Sequence, residues 1–327
     1  MDTFKSFEEV LYSVNDRNFE DIALQLFKFQ VENNIVYRDF VMHLGRARAN
    51  SVKAIPFLPI SLFKTHTIMT GTWRPETTFI SSGTTGQTNS RHAVKQVSAY
   101  LEHAESIFTH FFGPLEDYHF LALLPSYQER EGSSLVAMAE HFIRKSKSLY
   151  SGFYLNQNDT LISQLQKLKN SEKKVILLGV TFALIDLAEA YSPDLSHCLI
   201  METGGMKGKR PELTREEVHR FLCSRFNVSS ILSEYGMTEL LSQAYSVSQG
   251  RFLTPSAMKI LIRDMNDPFD LVPAGQTGAI NVIDLANIHS CAFIETQDLG
   301  RTNQDGSFEV LGRMDNSDIR GCNLMVE

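Results

Sequence analysis

The sequence predicts an α/β fold: mainly parallel strands with flanking helices, joined to a smaller antiparallel β subdomain. Three observations carry this. Short apolar runs alternate with helical stretches through the middle of the chain, the helical period disappears after about residue 250, and 327 residues can bury a large core. Residues 1–50 read as a helical cap, with Phe4, Phe7, Val10 and Leu11 and then Ile22, Leu26, Phe27 and Phe29 near helical spacing. SVKAIPFLP (51–59) carries two prolines and links this cap to an α/β core over 51–249. In that core an apolar strand (77–80), a Gly/Ser/Thr-rich loop and an amphipathic helix from Val97, stopped by Gly113-Pro114, come first. The strands YHFLALL (118–124), KVILLGV (174–180), HCLIMET (197–203) and SSILSEY (229–235) follow, separated by helices near 134–144, 160–169, 181–191 and 214–226. Thr214 and Glu217 form a capping box at the last of these helices. MKILIRD, GAINVIDL, SCAFIE and SFEVLGR, divided by turn-rich segments, make residues 250–327 a β-rich subdomain with a short tail.

Composition excludes several classes of function. A hydrophobic fraction of 43% with 21% charged residues rules out a disordered or collagen-like chain. The net charge of −7 gives no basic field for a nucleic acid. The longest clean apolar run, Val175–Ile185, has 11 residues, well short of the roughly 20 that span a bilayer, so no membrane span is expected. MDTFKSFEEV lacks the features of a secretory leader, and four cysteines without CxxC spacing suit a reducing cytoplasm.

Five stretches can carry chemistry. Ser81-Ser82-Gly83-Thr84-Thr85-Gly86 puts four hydroxyls and two glycines between a strand and a helix, a composition that wraps phosphate oxygens but also makes ordinary loops. No Gly-Lys-Ser/Thr follows, so it is not a Walker A loop. Glu234-Tyr235-Gly236-Met237-Thr238-Glu239 sits where a strand ends and a helix is expected, the edge at which open α/β sheets bind ligands. Tyr235 can offer a ring to a base, Thr238 a hydroxyl to phosphate and Glu239 an oxygen to Mg²⁺; the bland alternative is Thr238 capping a helix that Glu239 complements. Glu202-Thr203-Gly204-Gly205 brings bare backbone to a strand end, for a flat ring or as a plain turn. Asp298 can accept two ribose hydroxyls, a weak signal alone. Gly312-Arg313-Met314-Asp315 with Ile319-Arg320-Gly321 closes the chain.

In this order and spacing, SSGTTG, ETGG, EYGMTE, DLG and GRMDNSDIRG resemble the adenylate-forming enzymes: acyl-CoA synthetases, luciferases and peptide-synthetase adenylation domains. The resemblance covers roughly residues 55–321. The Leu124-Pro125-Ser126-Tyr127 loop and ETGGMKG are most similar to LuxE-type acyl-protein synthetases, with phenylacetate-CoA ligases next. It implies the large N-terminal domain of the adenylate-forming fold, with residues 81–86 on the ATP phosphates and Glu239 helping place Mg²⁺. It further implies that Gly204, Gly205 and Tyr235, with Gly236 beside it, frame adenine, that Asp298 binds ribose and that Arg313 braces the nucleotide. A small-molecule carboxylic acid would become an acyl-adenylate and then pass to a thiol.

Two departures stand out. Where the family has Pro-Lys after the GTTG, this chain has Gln87-Thr88-Asn89-Ser90, and Arg91 is the candidate replacement. Only 12 residues follow Asp315, so neither a C-terminal lid nor its lysine is expected. LuxE-type enzymes carry the acyl group on a cysteine near their C-terminus, a place that Cys322 matches beside Arg320 and Gly321; a cysteine in a frayed end is the alternative. The resemblance favours the thioester. The onward acceptor would be an acyl-CoA reductase-like protein or a carrier protein; the rival readings are a lid-less acyl- or aryl-CoA ligase and a nucleotide-binding scaffold. Cys198, Cys223 and Cys291 lie in apolar surroundings and read as core. No HExxH or GxSxG offers a hydrolytic alternative. His92 can assist near phosphate, whereas His141 reads as structural, and the aromatic stripe Phe108, Phe111, Phe112, Phe120 and Tyr127 lines either an acyl tunnel or the core.

Overall fold

Three amphipathic helices open the chain: α1 (Thr3–Leu11), α2 (Phe19–Asn33) and α3 (Ile35–His43). The structure is a computed structural model that describes residues 3–82, 88–125, 131–204 and 213–314. A short strand β1 (Leu58–Pro59) and helix α4 (Leu62–Thr65) lead to an antiparallel hairpin of β2 (Thr77–Ile80) and β3 (Arg91–Val94). Helix α5 (Val97–Phe112) ends at Gly113, whose φ of +94° a side chain would resist, before Pro114 forbids continuation.

Alternation of strand and helix then runs as the apolar pattern predicts. It comprises β4 (Tyr118–Leu123), α6 (Ser134–Lys145), β5 (Gly152–Phe153), α7 (Asn158–Lys167), β6 (Lys174–Val180), α8 (Thr181–Tyr191), β7 (Cys198–Thr203), α9 (Arg215–Phe226) and β8 (Leu232–Tyr235). The Thr214–Glu217 capping box is formed in both directions. Beyond β8 the regular elements among the described residues are strands: β9 (Ala244–Ser246), β10 (Arg251–Leu253), β11 (Met258–Arg263), β12 (Gly278–Asp284), β13 (Phe293–Thr302) and β14 (Phe308–Arg313).

Strands β5, β4, β6, β7 and β8 pair parallel in that order, and β9, β10, β14, β13, β12 and β11 continue the same sheet antiparallel. The mainly parallel part and the smaller antiparallel part are therefore joined edge to edge through β8 and β9. Every residue of β4 is buried, as a parallel strand covered on both faces requires. One apolar core joins β4, β6 and β7 to α5–α9; a second joins α1–α3 to β11–β14. Phe108 and Phe120 belong to the first core, and His141 is buried with Nε2 on Glu105 at 2.6 Å. Among the described residues no helix is long and apolar enough to cross a membrane.

Two local expectations are corrected. No helix follows EYGMTE: Leu240 N–H closes a turn onto the Met237 carbonyl and the chain enters β9, so Thr238 caps nothing. The Ser/Thr/Gly loop does not run straight into a helix either, because β3 intervenes before α5. After Gly236 the polar residues serve a tight reversal that a periodicity argument does not separate from a helix start.

Leu177 sits fully buried in the middle of β6. Leu177→Ala should lower the unfolding free energy by about 2–5 kcal/mol, read as a shifted midpoint in urea.

Candidate functional site

Among the described residues, Tyr235, Glu239, Asp298 and Arg313 share one neighbourhood at the sheet rim, which Ser90 of the β2–β3 neck joins. Ser81 and Ser90 close the neck of the β2–β3 hairpin: Ser81 N–H donates to the Ser90 carbonyl at 3.1 Å, and Ser90 N–H donates to Ser81 Oγ at 2.9 Å. Ser82 is exposed beyond this neck, and Arg91 is exposed on β3 just past it. Gly83, Thr84, Thr85, Gly86, Tyr127, Gly205, Asp315, Arg320, Gly321 and Cys322 lie outside the described residues.

The Ser90 side chain reaches from the hairpin neck to the buried carboxylate of Glu239. Burial pushes the Glu239 carboxyl up, and Asp298 adds to this; Ser90, its own backbone N–H and Arg313 pull the other way. Glu239, Asp298 and Arg313 thus share one electrostatic neighbourhood. Register explains part of it, because Asp298 on β13 stands directly opposite Arg313 on β14. Arg313 Nε lies 3.3 Å from Asp298 Oδ1, and the Tyr235 hydroxyl donates to Asp298 Oδ2 at 3.0 Å. Both Asp298 oxygens therefore already accept one hydrogen bond. The Tyr235 ring is buried, edge-on to Phe252 and Phe308, rather than standing open.

The neighbouring strand end is built the same way. Thr181 Oγ1, at the start of α8, is 2.8 Å from both Glu202 Oε2 and the Gly204 carbonyl, tying the end of β7 to that helix. Burial opposes the Glu202 charge, yet Arg215, His219 and Thr181 hold its carboxyl below the ordinary value. Thr203 donates to Glu234, its partner in the β7–β8 register. A Cβ at Gly236 would meet the Glu234 carboxyl group, which would have to shift from its place beside Thr203.

Sequence reasoning missed Ser90, Arg215 and His219 as members of this rim, and it gave no role to Glu202 and Glu234 although both stand in candidate stretches. The available signal was position: Glu202 and Glu234 are carboxylates inside apolar strands, where an unpaired charge is costly. It also missed Asp284 and Asn287, which hold the turn after Gly236 from behind. Cys198 and Cys291 are buried with their thiols pushed up to about 12, so neither is a ready nucleophile.

A family model described as "Acyl-protein synthetase, LuxE" matches residues 137–327, more than half of the chain. A long-chain-fatty-acid–luciferin-component ligase of Vibrio harveyi is 21% identical, over 91% of this chain and 84% of its own length. Among solved structures, an open 2-hydroxyisobutyryl-CoA ligase with 2-HIB-AMP and CoA superposes with a TM-score of 0.68 at 14% identity, over 92% of this chain and 70% of that one. ATP-bound MatB from Rhodopseudomonas palustris gives 0.53 at 17% identity, over 72% of this chain and 47% of that one. The chain thus spans about half the length of the latter. These structures share the fold.

Burial, opposed by the Thr203 hydroxyl and aided by Glu202, pushes the Glu234 carboxyl from 4.5 to about 7. Between those values the folded protein holds a proton that the unfolded chain releases, so this group's contribution to stability falls as pH rises through the window. Glu234→Gln, which mimics the protonated form, should match the wild type below about pH 4.5 and exceed it by roughly 3 kcal/mol above about pH 7. Paired urea titrations at the two pH values would show the gap; a gap that does not widen refutes the assignment.

Proposed function

The chain belongs to the LuxE acyl-protein synthetase family, and on that premise we propose that it uses ATP to activate a carboxylic acid as an acyl-adenylate and then moves the acyl group to a thiol. The single observation that carries the reading is the convergence of the Ser81–Ser90 neck, Glu239, Asp298 and Arg313 at one rim of the sheet. A fatty acid is the substrate class, by similarity to the long-chain-fatty-acid ligase of Vibrio harveyi.

In this reading residues 81–86, from Ser81 through Gly86, and Thr238 surround the phosphates, and Arg91 supplies positive charge beside them. Gly204, Gly205 and Gly236 keep the strand ends bare enough for a flat base. Asp298 turns its remaining lone pairs to ribose hydroxyls, held in place by Tyr235 and Arg313. Tyr235 thus acts through Asp298, its ring being packed against Phe252 and Phe308. Among the described residues no group of three or more His, Cys, Asp or Glu side chains is placed to hold a metal ion. Glu239 nevertheless fits Mg²⁺, which commonly takes one protein carboxylate together with substrate phosphates. A buried carboxylate whose charge is opposed by burial and by Asp298 gains from such a cation. When bound, Mg²⁺ neutralises charge developing on the phosphates.

The chemistry needs positioning more than proton transfer. A carboxylate oxygen of the acid attacks the α-phosphorus, the bond to the bridging oxygen breaks, and pyrophosphate departs with that electron pair. The thiolate of Cys322 then attacks the acyl carbon and AMP leaves, forming a thioester that a reductase-like or carrier protein receives. Proton release from the thiol accompanies the second step.

Intact-mass spectrometry after incubation with ATP, Mg²⁺ and a mixed pool of fatty acids should show one added acyl group. Cys322→Ala should lose that adduct yet keep acid-dependent exchange between ATP and pyrophosphate. An adduct surviving in the variant rejects the thioester step, thioester forming on CoA alone moves the protein to the acid–CoA ligases, and ATP binding without exchange for any acid marks a scaffold.

A further inference from the structure

Behind the turn that carries Glu239 lies a buried polar network that neither the reaction nor the family motifs use. His92 Nδ1 is 2.8 Å from the Thr238 carbonyl, which can only accept, so this nitrogen carries the proton. Asn287 Nδ2 donates to the Glu239 carbonyl at 2.8 Å. These two carbonyls belong to the peptide planes on either side of the Glu239 Cα. With both planes held, φ and ψ of Glu239 are fixed, and only side-chain torsions are left to set where its carboxylate points.

Asp284 anchors the rest of the turn. Its Oδ2 accepts from Leu241 N–H at 2.7 Å and Ser242 N–H at 3.0 Å, and its Oδ1 accepts from Ser242 Oγ at 2.6 Å. His103 Nε2 closes the group, 2.9 Å from Ser242 Oγ. Asn287 Nδ2 also lies 3.4 Å from Asp284 Oδ2, so the amide that holds Glu239 is itself oriented. His92, Ser242, Asp284 and Asn287 are each at most 1% exposed. Apolar side chains could fill this volume at less desolvation cost, so the network's distinctive product is direction.

We propose that His92, Asn287 and Asp284 are positioning residues that hold the Glu239 carboxylate toward a magnesium-bound triphosphate. The inference rests on the proposed nucleotide reading and deepens it. Outer partners of metal ligands typically change metal affinity 10- to 100-fold when removed, and a comparable effect is expected here on ATP binding in the presence of Mg²⁺.

The test measures ATP affinity of the full chain by calorimetry, with Mg²⁺ and again with the metal chelated. Asn287→Ala should weaken binding about tenfold with Mg²⁺ and leave the chelated measurement unchanged. In a Glu239→Gln background, Asn287→Ala should add nothing, because the group it orients has gone. Equal weakening in both conditions, additive losses, or no loss at all would overturn the proposal. Should Asn287→Ala not melt cooperatively, the pair His92→Phe and His92→Gln decides: the phenylalanine weakens magnesium-dependent binding, and the glutamine, which can still donate to Thr238, restores it. A pair behaving alike counts against the positioning role. Wild-type protein that binds no ATP removes the nucleotide reading itself, whereas magnesium-dependent wild-type binding with an unaffected Asn287→Ala removes only this inference.

Discussion

A carboxylate withdrawn from water is tolerated only where donors or cations surround it, and that constraint organises the whole rim of this sheet. Glu202, Glu234, Glu239, Asp284 and Asp298 are all buried. Each has found a different solution. Glu202 has an arginine, Glu234 a threonine hydroxyl, Asp284 backbone and hydroxyl donors, and Asp298 a tyrosine and an arginine. Glu234 and Glu239 stand apart: burial pushes both carboxyls up, and the Thr203 hydroxyl in one case, Ser90 and the exposed Arg313 in the other, support the charge only in part. An incompletely compensated carboxylate among compensated ones is where an incoming cation gains most.

Much of the architecture was legible because the apolar pattern is local. KVILLGV followed directly by an apolar helical stretch becomes β6 running into α8 without a loop, and the capping box at Thr214 marks the start of α9 to the residue. The misread turn after Gly236 failed for a physical reason. Polar and glycine-rich residues after a strand describe both a helix start and a tight reversal, and the deciding factor is a distant partner. For the turn after Gly236 that partner is Asp284, more than forty residues away.

The candidate site divides along the same line. Glu239, Asp298 and Arg313 were identifiable as residue types suited to a nucleotide, and the register of β13 with β14 explains why two of them meet. Ser90 and Asn287 were not identifiable, since nothing about a serine near a loop or an asparagine after a strand announces the carbonyl or carboxylate it will hold. Tyr235 illustrates the limit differently. Its suitability for stacking was evident, but its hydroxyl contact with Asp298 arises only when β8 and β13 share a sheet.

Strands β8 and β9 also have a mechanical role. Pairing changes from parallel to antiparallel between them, and continuous hydrogen bonding runs through that seam from β5 to β11. A body stitched in this way resists relative motion of its two halves, so the strand ends that carry Tyr235, Asp298 and Arg313 are borne on one continuous frame.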